Sequence, residues 1–493
     1  MKKVLTSIDN FFKISERGST YLKEIFGGII VFFAMLYILP VNSSILGTMG
    51  MKSGAIFAAT AICSGLCCIL MGVLANFPVA LSAGMGMNAY LAFTVCGSLG
   101  YTWQEGLAVV IVSGILFFIL TLTPVRKWII DAIPKSLKYA ISAGLGAFIC
   151  FVGLKMGGII RADGGTFVAL NSFDPTGGNA YVLLSLFGIL LVFGLMVFPN
   201  KYVKRFAILI AMVTTAVLGL ILSACKVPNM PSFQADTGSI SDISQTFGQG
   251  FGALGTILAK PQTYAIIFSF IFVNLFDTTA TLIAVGDQVG IVDKETGKMV
   301  GGKKAMIADA TGALVAGVFG TSPVTSFAES TVGVESGART GLSAIVTGLL
   351  FFLSLAIFPA FNIFAGIPVN GDTFTPVSSL ALVSVGAMMF GHLRNIEWDD
   401  KILVFSSFIT FIMMLLTYSI TNGIAFGLIF YALMMLCSGN IKKVSPIIYI
   451  LAVVFIASFI LTAVVDHQAA ATALGQNLLA PTVQTLCELK SIV

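Results

Sequence analysis

Apolar runs of about twenty residues recur along nearly the whole chain, and a run of that length crosses about 30 Å of hydrocarbon as a helix. They fall at 25–46, 54–76, 79–98, 104–123, 136–158, 180–198, 204–225, 262–286, 305–320, 322–338, 341–365, 376–392, 401–418 and 422–438, which predicts fourteen spans, numbered here in chain order. A further apolar run follows at 446–465. The polar breaks are short, so the pattern leaves no place for a separate soluble domain. The stretch before residue 24 is basic and lacks a small-residue cleavage pattern, so the first span is expected to act as the insertion signal.

Spans 3 and 10 break the pattern. Span 3 opens with Pro78 and contains Ser82-Ala-Gly-Met-Gly-Met-Asn88, and span 10 contains Pro323, Thr325, Ser326, Glu329, Ser330, Gly333, Glu335 and Gly337. Neither can face lipid as an ordinary helix. Irregular backbone at membrane depth is tolerated only inside protein or along a cavity, and interrupted segments at matching places in two halves mark a transporter's binding site. Spans 3 and 10 match if the chain is a seven-plus-seven repeat joined through the polar stretch 226–261.

Composition agrees with a bilayer as solvent: 57% of residues are hydrophobic, 10% are charged, and the mean hydropathy is +0.99. With the N-terminus on the cytoplasmic side, 21 of the 27 Lys and Arg fall in inside segments. Lys52, Lys155, Arg161, Lys226 and Lys260 fall outside, and Lys490 is unassigned. The net charge of +5 is scattered over short loops, which argues against nucleic acid as a partner. Eight cysteines, mostly inside apolar runs and without a CxxC pair, and two distant histidines, His392 and His467, suggest buried thiols rather than a metal or disulfide framework.

Two acids stand out. Asp277 lies more than two turns from either end of span 8, where an unpaired charge costs about 3 kcal/mol or more. Asn274 and Thr281 extend it into a polar stripe. The plainer reading is an acid hydrogen-bonded to a neighbouring helix. Glu329 follows Thr321-Ser-Pro-Val-Thr-Ser-Phe-Ala and is expected at the start of a half-helix, whose free N–H groups favour anionic or polar ligand groups. Its plainer reading is a helix cap. Asn88 ends a Gly84-Met-Gly86-Met turn, where an amide could both donate to and accept from a heterocycle and glycine lets backbone approach a ligand, although tight helix packing explains the glycines equally well. Asp309 reads equally well as a structural acid, and Tyr37, Asn42, Phe276 and Phe327 are candidate cavity residues. Glu335 and Arg339, four apart, read as a surface pair.

A buried carboxyl tuned toward neutrality can take a proton on one side of the membrane and release it on the other. No Lys or His lies centrally, so a relay would fall to Asp277 or Glu329. Sodium stays open as the coupling ion, because a carboxylate with exposed carbonyls also suits Na⁺. No other cofactor and no metal is expected.

These motifs resemble the AzgA-type purine permeases of the nucleobase/ascorbate transporter (xanthine/uracil permease) superfamily. The resemblance rests on Met35-Leu-Tyr-Ile-Leu-Pro-Val-Asn42, Ala83-Gly-Met-Gly-Met-Asn88-Ala-Tyr, Ala132-Ile-Pro-Lys-Ser-Leu-Lys-Tyr-Ala-Ile-Ser-Ala-Gly, Asn274-Leu-Phe-Asp277-Thr, Gly320-Thr-Ser-Pro-Val-Thr-Ser-Phe-Ala-Glu329-Ser and Thr417-Tyr-Ser-Ile-Thr-Asn-Gly-Ile-Ala-Phe-Gly. It implies an all-α polytopic membrane protein with a seven-plus-seven inverted repeat and short irregular or strand segments in spans 3 and 10. After a cytoplasmic arm (1–24), it implies a core domain (25–123 and 262–365) and a gate domain (124–225 and 366–438). An extracytoplasmic linker (226–261) and a C-terminal extension (439–493) complete the chain. It also implies a multi-pass protein of the bacterial inner membrane, a homodimer, and proton-driven import of adenine, guanine or hypoxanthine by elevator-like motion. The substrate site it implies comprises Glu329, Asp277, Asn88, Gly86, Phe327, Ser326 and Thr281, with Asp277 and Glu329 in proton coupling.

The chain departs from the family's common pattern at Asn274, Ala280, Ser322, Pro323 and Phe327, all beside that site, which leaves the choice among purines open. Another nucleobase such as uracil or xanthine is the nearest alternative. An inorganic-anion transporter of the same architecture is disfavoured by two central acids. An intramembrane enzyme is disfavoured further, because the sequence has no HExxH helix and no Ser/His pair near mid-membrane.

Overall fold

The computed structural model describes residues 2–174, 178–231, 240–291, 301–356, 358, 366–369, 372–457, 459 and 460. Lys294, Lys298, Lys490, most of span 11 beyond 356, and the end of the 446–465 run lie outside the described residues. Eight helices there are long and apolar enough to cross a membrane: Tyr21–Gly47 (interrupted at Leu36 and Tyr37), Ser53–Ala75, Trp103–Leu122, Lys135–Met156, Ala207–Ala224, Gln262–Ile283, Pro376–Asn395 and Ile420–Cys437. Shorter apolar helices cover Ala180–Met196, Gly341–Ser354, Lys401–Leu416 and Pro446–Ala457. The local sequence sets several ends. Thr102 and Glu105 form a reciprocal cap at the start of span 4, and Asp400 accepts from the Ile402 N–H at 2.8 Å at the start of span 13.

Spans 3 and 10 are broken, as their polarity requires. Span 3 runs as an extended segment, strand β1 (Leu81–Ala83), the short helix Met85–Ala89 and a π-helical turn at Tyr90–Ser98. Two peripheral strands, β2 (Ile160–Asp163) and β3 (Phe167–Leu170), form a hairpin after span 5. Span 10 is strand β4 (Val324–Ser326) followed by the helix Ser330–Glu335. A second hairpin, β5 (Ile367–Val369) with β6 (Asp372–Phe374), precedes span 12. Strands β1 and β4 pair antiparallel inside the protein, with Leu81 opposite Ser326 and Ala83 opposite Val324.

Small residues let the spans cross at backbone contact. A Cβ on Gly348 of span 11 would lie 2.7 Å from Gly65 O of span 2. Likewise, a Cβ on Gly114 of span 4 would lie 2.5 Å from Ala313 O of span 9. Spans 5 and 12 cross at Gly146 and Gly386, where a Cβ on Gly146 would lie 2.7 Å from Gly386 O.

The N-terminal arm docks on one end of the bundle. Asn76 Nδ2 donates to Phe12 O at 2.7 Å, Arg17 Nη1 donates to Asn76 O at 2.8 Å, and Ser19 Oγ donates to Gly337 O at 2.9 Å. At the other end, Lys52 meets Asp242 of the linker at 3.5 Å. The Pro446–Ala457 helix buries Ile448, Leu451, Ala452 and Phe455, with Phe455 packed edge-on against Phe268 of span 8 at 4.9 Å. One pairing differs from the sequence reading. Glu335 bonds Arg205 Nη2 at 2.8 Å, and Arg339 Nη1 instead donates to Val334 O and Ala338 O.

Candidate substrate and coupling site

The β1–β4 pair and the helices that follow it bring the two broken spans to one place. Backbone bonds continue past the strands: Gly84 N–H donates to Pro323 O at 2.9 Å and Phe327 N–H to Ala80 O at 3.0 Å. The Ala80 N–H donates to Ser330 Oγ at 3.0 Å. Extended backbone at this depth thus keeps its polar groups satisfied within the protein.

Asp309 of span 9 fixes this unit from behind. It is fully buried, and its Oδ1 accepts from the Ser326 N–H at 2.9 Å and the Ser326 hydroxyl at 2.8 Å. Its Oδ2 accepts from Thr278 Oγ1 of span 8 at 2.7 Å, and Thr278 lies 3.0 Å from Thr325 Oγ1 of β4. One carboxylate therefore ties spans 8, 9 and 10 together. A second buried network holds span 3. Asn88 Nδ2 donates to Asn42 Oδ1 at 2.9 Å, and Asn42 Nδ2 donates to Thr60 Oγ1 at 2.8 Å and Thr321 Oγ1 at 3.0 Å. The Asn88 Oδ1 is buried with no partner among the described residues.

Against this closed background the two acids singled out in the sequence are both partly open. Glu329 stands before the Ser330–Glu335 helix, but its side chain makes no capping bond there; its Oε1 accepts from the Tyr37 hydroxyl of span 1 at 2.5 Å. The plain helix-cap reading therefore fails. Asp277 has no hydrogen-bond partner among the described residues, and Asp309 and Glu329 are the acids close enough to act on it electrostatically. The polar stripe of span 8 divides: Asn274 is buried 3.5 Å from Thr278 Oγ1, on the Asp309 side, while Asp277 remains free.

The remaining expected site residues are packed within the protein. Phe327 and Thr281 are each 7% exposed. Gly86 packs on span 5, where a Cβ would come 2.6 Å from Leu145 Cδ1. Ser326 spends both its N–H and its hydroxyl on Asp309. On the outer side, Thr94 Oγ1 donates to Tyr418 O at 2.8 Å, and Thr421 Oγ1 is bonded by Tyr90 OH and by Ser269 Oγ. These bonds join spans 3 and 8 to the junction of spans 13 and 14.

Two broken spans thus meet at a strand pair, with two partly open acids beside it. The profile of the Xan_ur_permease family (Permease family) covers residues 22–426. The chain belongs to this family. It is 40% identical over 459 residues to the guanine/hypoxanthine permease PbuG of Bacillus subtilis (strain 168), covering 91% of this chain and 99% of that protein. It is 35% identical over 457 residues to the adenine permease AdeP of Escherichia coli (strain K12), covering 92% and 96%. In three dimensions it resembles the transmembrane domain of a cyanobacterium bicarbonate transporter, BicA, with a TM-score of 0.56 over 81% of this chain and 97% of that one, at 15% identity. That likeness establishes the fold of a multi-pass membrane transporter, and the family makes this chain a permease rather than an enzyme.

Within the permease, Thr278, Thr60 and Arg126 are structurally engaged residues that the sequence did not single out. Threonines are common in membrane helices because the hydroxyl can bond its own helix, as Thr279 Oγ1 does to Leu275 O at 2.6 Å. Nothing in the sequence separates Thr279 from Thr278, whose hydroxyl crosses to Asp309.

Proposed function

We propose that this permease imports a purine nucleobase, hypoxanthine/guanine or adenine, by proton symport. The carrying observation is that Asp277 and Glu329 are partly open beside the β1–β4 pair, while Asp309, Ser326 and Asn88 are engaged within the protein. The similarity to guanine/hypoxanthine and adenine permeases supports the substrate class.

Glu329, oriented by Tyr37, accepts ring N–H groups of the base, and a charge-assisted bond of this kind is about twice as strong as a neutral one. Phe327 and Gly86 supply apolar wall and close approach, and Thr281 and Asn88 shape the floor. Asp277, without a fixed partner, carries the proton. Like charges close together in a low-dielectric site repel, so proton uptake at Asp277 and purine binding at Glu329 favour one another. Alternating access follows from a core (25–123 and 262–365) moving as an elevator against a gate (124–225 and 366–438), in a homodimer in the bacterial inner membrane with a cytoplasmic N-terminus. Sodium is the alternative coupling ion.

The test is uptake of labelled hypoxanthine in purine-uptake-deficient cells, competed by adenine, guanine, xanthine and uracil, with and without a protonophore and with sodium replaced. Competition by purines and collapse with the protonophore are expected. Absence of any nucleobase uptake would overturn the substrate class, and protonophore-resistant, sodium-dependent uptake would overturn proton coupling.

A further inference from the structure

Span 1 touches two of the side chains proposed to meet the base. Its Tyr37 bonds Glu329, and its Asn42 bonds Asn88 through a contact between two fully buried amides. Which end of each amide faces the other follows from counting protons.

One end of the Asn42 amide lies 2.8 Å from Thr60 Oγ1 of span 2 and 3.0 Å from Thr321 Oγ1, just before span 10. Thr60 Oγ1 also lies 3.0 Å from Thr321 Oγ1 and 2.7 Å from Ile56 O. These are four contacts. The two hydroxyls bring one proton each, and the Ile56 carbonyl brings none. An amide presenting Nδ2 adds two protons, and all four contacts are filled: Thr60 donates to Ile56 O, Thr321 donates to Thr60, and Nδ2 donates to both hydroxyl oxygens. An amide presenting Oδ1 leaves two protons for four contacts. Asn42 therefore turns its Oδ1 toward span 3, where Asn88 Nδ2 donates to it at 2.9 Å and Ser322 Oγ at 3.4 Å.

That orientation fixes Asn88 in turn. Its own Oδ1 facing Asn42 would set two acceptors against each other, so the oxygen stays on the far side of the amide. There it is buried with no donor among the described residues. A buried acceptor without a donor is costly, and the rest of this network is filled proton for proton.

We infer that Asn42, held by Thr60 and Thr321, is a positioning residue for substrate selection: it fixes Asn88 with its Oδ1 as an acceptor for an N–H of the base. Glu329 accepts too, so span 1 orients two acceptors, and hypoxanthine is held through both of its ring N–H groups. This rests on the transport reading above and adds how that substrate is selected.

The experiment is binding, to the purified protein in detergent, of hypoxanthine and of hypoxanthine methylated at its pyrimidine-ring N–H or at its imidazole-ring N–H. Thr60→Val keeps the shape of the side chain and removes the hydroxyl that dictates the Asn42 amide. It should weaken hypoxanthine about tenfold. The methylated base that has lost the N–H meeting Asn88 has no such bond to lose, so its penalty relative to hypoxanthine should shrink by the same factor, while the other derivative keeps its penalty. Thr60→Ser, which retains the hydroxyl, should match the wild type. Equal weakening of all three ligands by Thr60→Val, the result expected if a water meets Asn88, overturns the inference, as does no weakening at all. Wild-type binding indifferent to both methyl groups overturns it too. If Thr60→Val is not recovered folded, Thr321→Val, which also takes a proton and a contact out of the count, is read by the same criteria. Failure of the wild type to bind any nucleobase would instead sink the transport reading itself.

Discussion

The Tyr37 hydroxyl donates to Glu329 Oε1 at 2.5 Å, so span 1 orients the carboxylate that follows the broken strand of span 10. Tyr37 itself is buried, and its ring stays in place if the hydroxyl alone is removed. Tyr37→Phe should therefore leave membrane abundance unchanged and loosen Glu329. A hydrogen bond to a charged group contributes about 1.5–3 kcal/mol, so the KM for purine uptake should rise about tenfold or more. An unchanged KM would show that Glu329 does not need Tyr37 to meet its ligand.

Asp277 and Glu329 should fail differently when altered. Asp277→Asn keeps shape but cannot take up and release a proton. Purine binding, measured by scintillation proximity or by ligand-induced stabilisation in detergent, should persist within about a factor of ten, while protonophore-sensitive accumulation disappears. Glu329→Ala should remove binding itself. Proton-driven accumulation by both variants at wild-type levels would remove these acids from the site.

The helices and their breaks were legible in the sequence, and the direction of each side chain was not. Apolar run lengths located the spans, and the polarity of Ser82 to Asn88 and of Pro323 to Gly337 located the two breaks, because backbone geometry at membrane depth leaves few alternatives. Asp277 and Glu329 stood out in the sequence for the same energetic reason. The partners of Asp309 were not, since Thr278 and Ser326 approach it from spans distant in sequence, and hydropathy carries no azimuth. Arg126 was not singled out because a single arginine beside a span end looks like every other loop cation. The pairing of Glu335 with Arg339 failed for a local reason: the Ser330–Glu335 helix has ended and Gly337 has φ +103°, so residues four apart no longer share a helix face.

Thr421 offers a test of the contact between spans 3, 8 and 14. Its hydroxyl is bonded by the buried Tyr90 hydroxyl and by Ser269 Oγ at 2.6 Å. Thr421→Val keeps the shape and strands the Tyr90 hydroxyl, which costs about 1–3 kcal/mol for an unsatisfied buried donor. A lower melting temperature in detergent is expected, and Tyr90→Phe/Thr421→Val should recover part of it because the stranded donor is gone. A double variant less stable than the sum of the two single changes would mean that the contact works through packing instead.

Glycines along the apolar helices should separate into two classes when given a side chain. Gly386 of span 12 abuts the Gly146 carbonyl of span 5, and a Cβ there would also lie 2.8 Å from Cys150 N, a backbone atom that cannot swing away. Gly386→Val must push the two spans apart, and overpacking of this kind costs about 1–3 kcal/mol or more. Gly194 lies in the Ala180–Met196 helix with nothing within 4 Å of its added Cβ. Gly194→Ala relieves the entropic cost of glycine in a helix and should be neutral or stabilising by about 0.5–1 kcal/mol. Thermal unfolding of the two variants in the same detergent reads the difference directly. Equal melting temperatures would mean that spans 5 and 12 do not cross at Gly146 and Gly386.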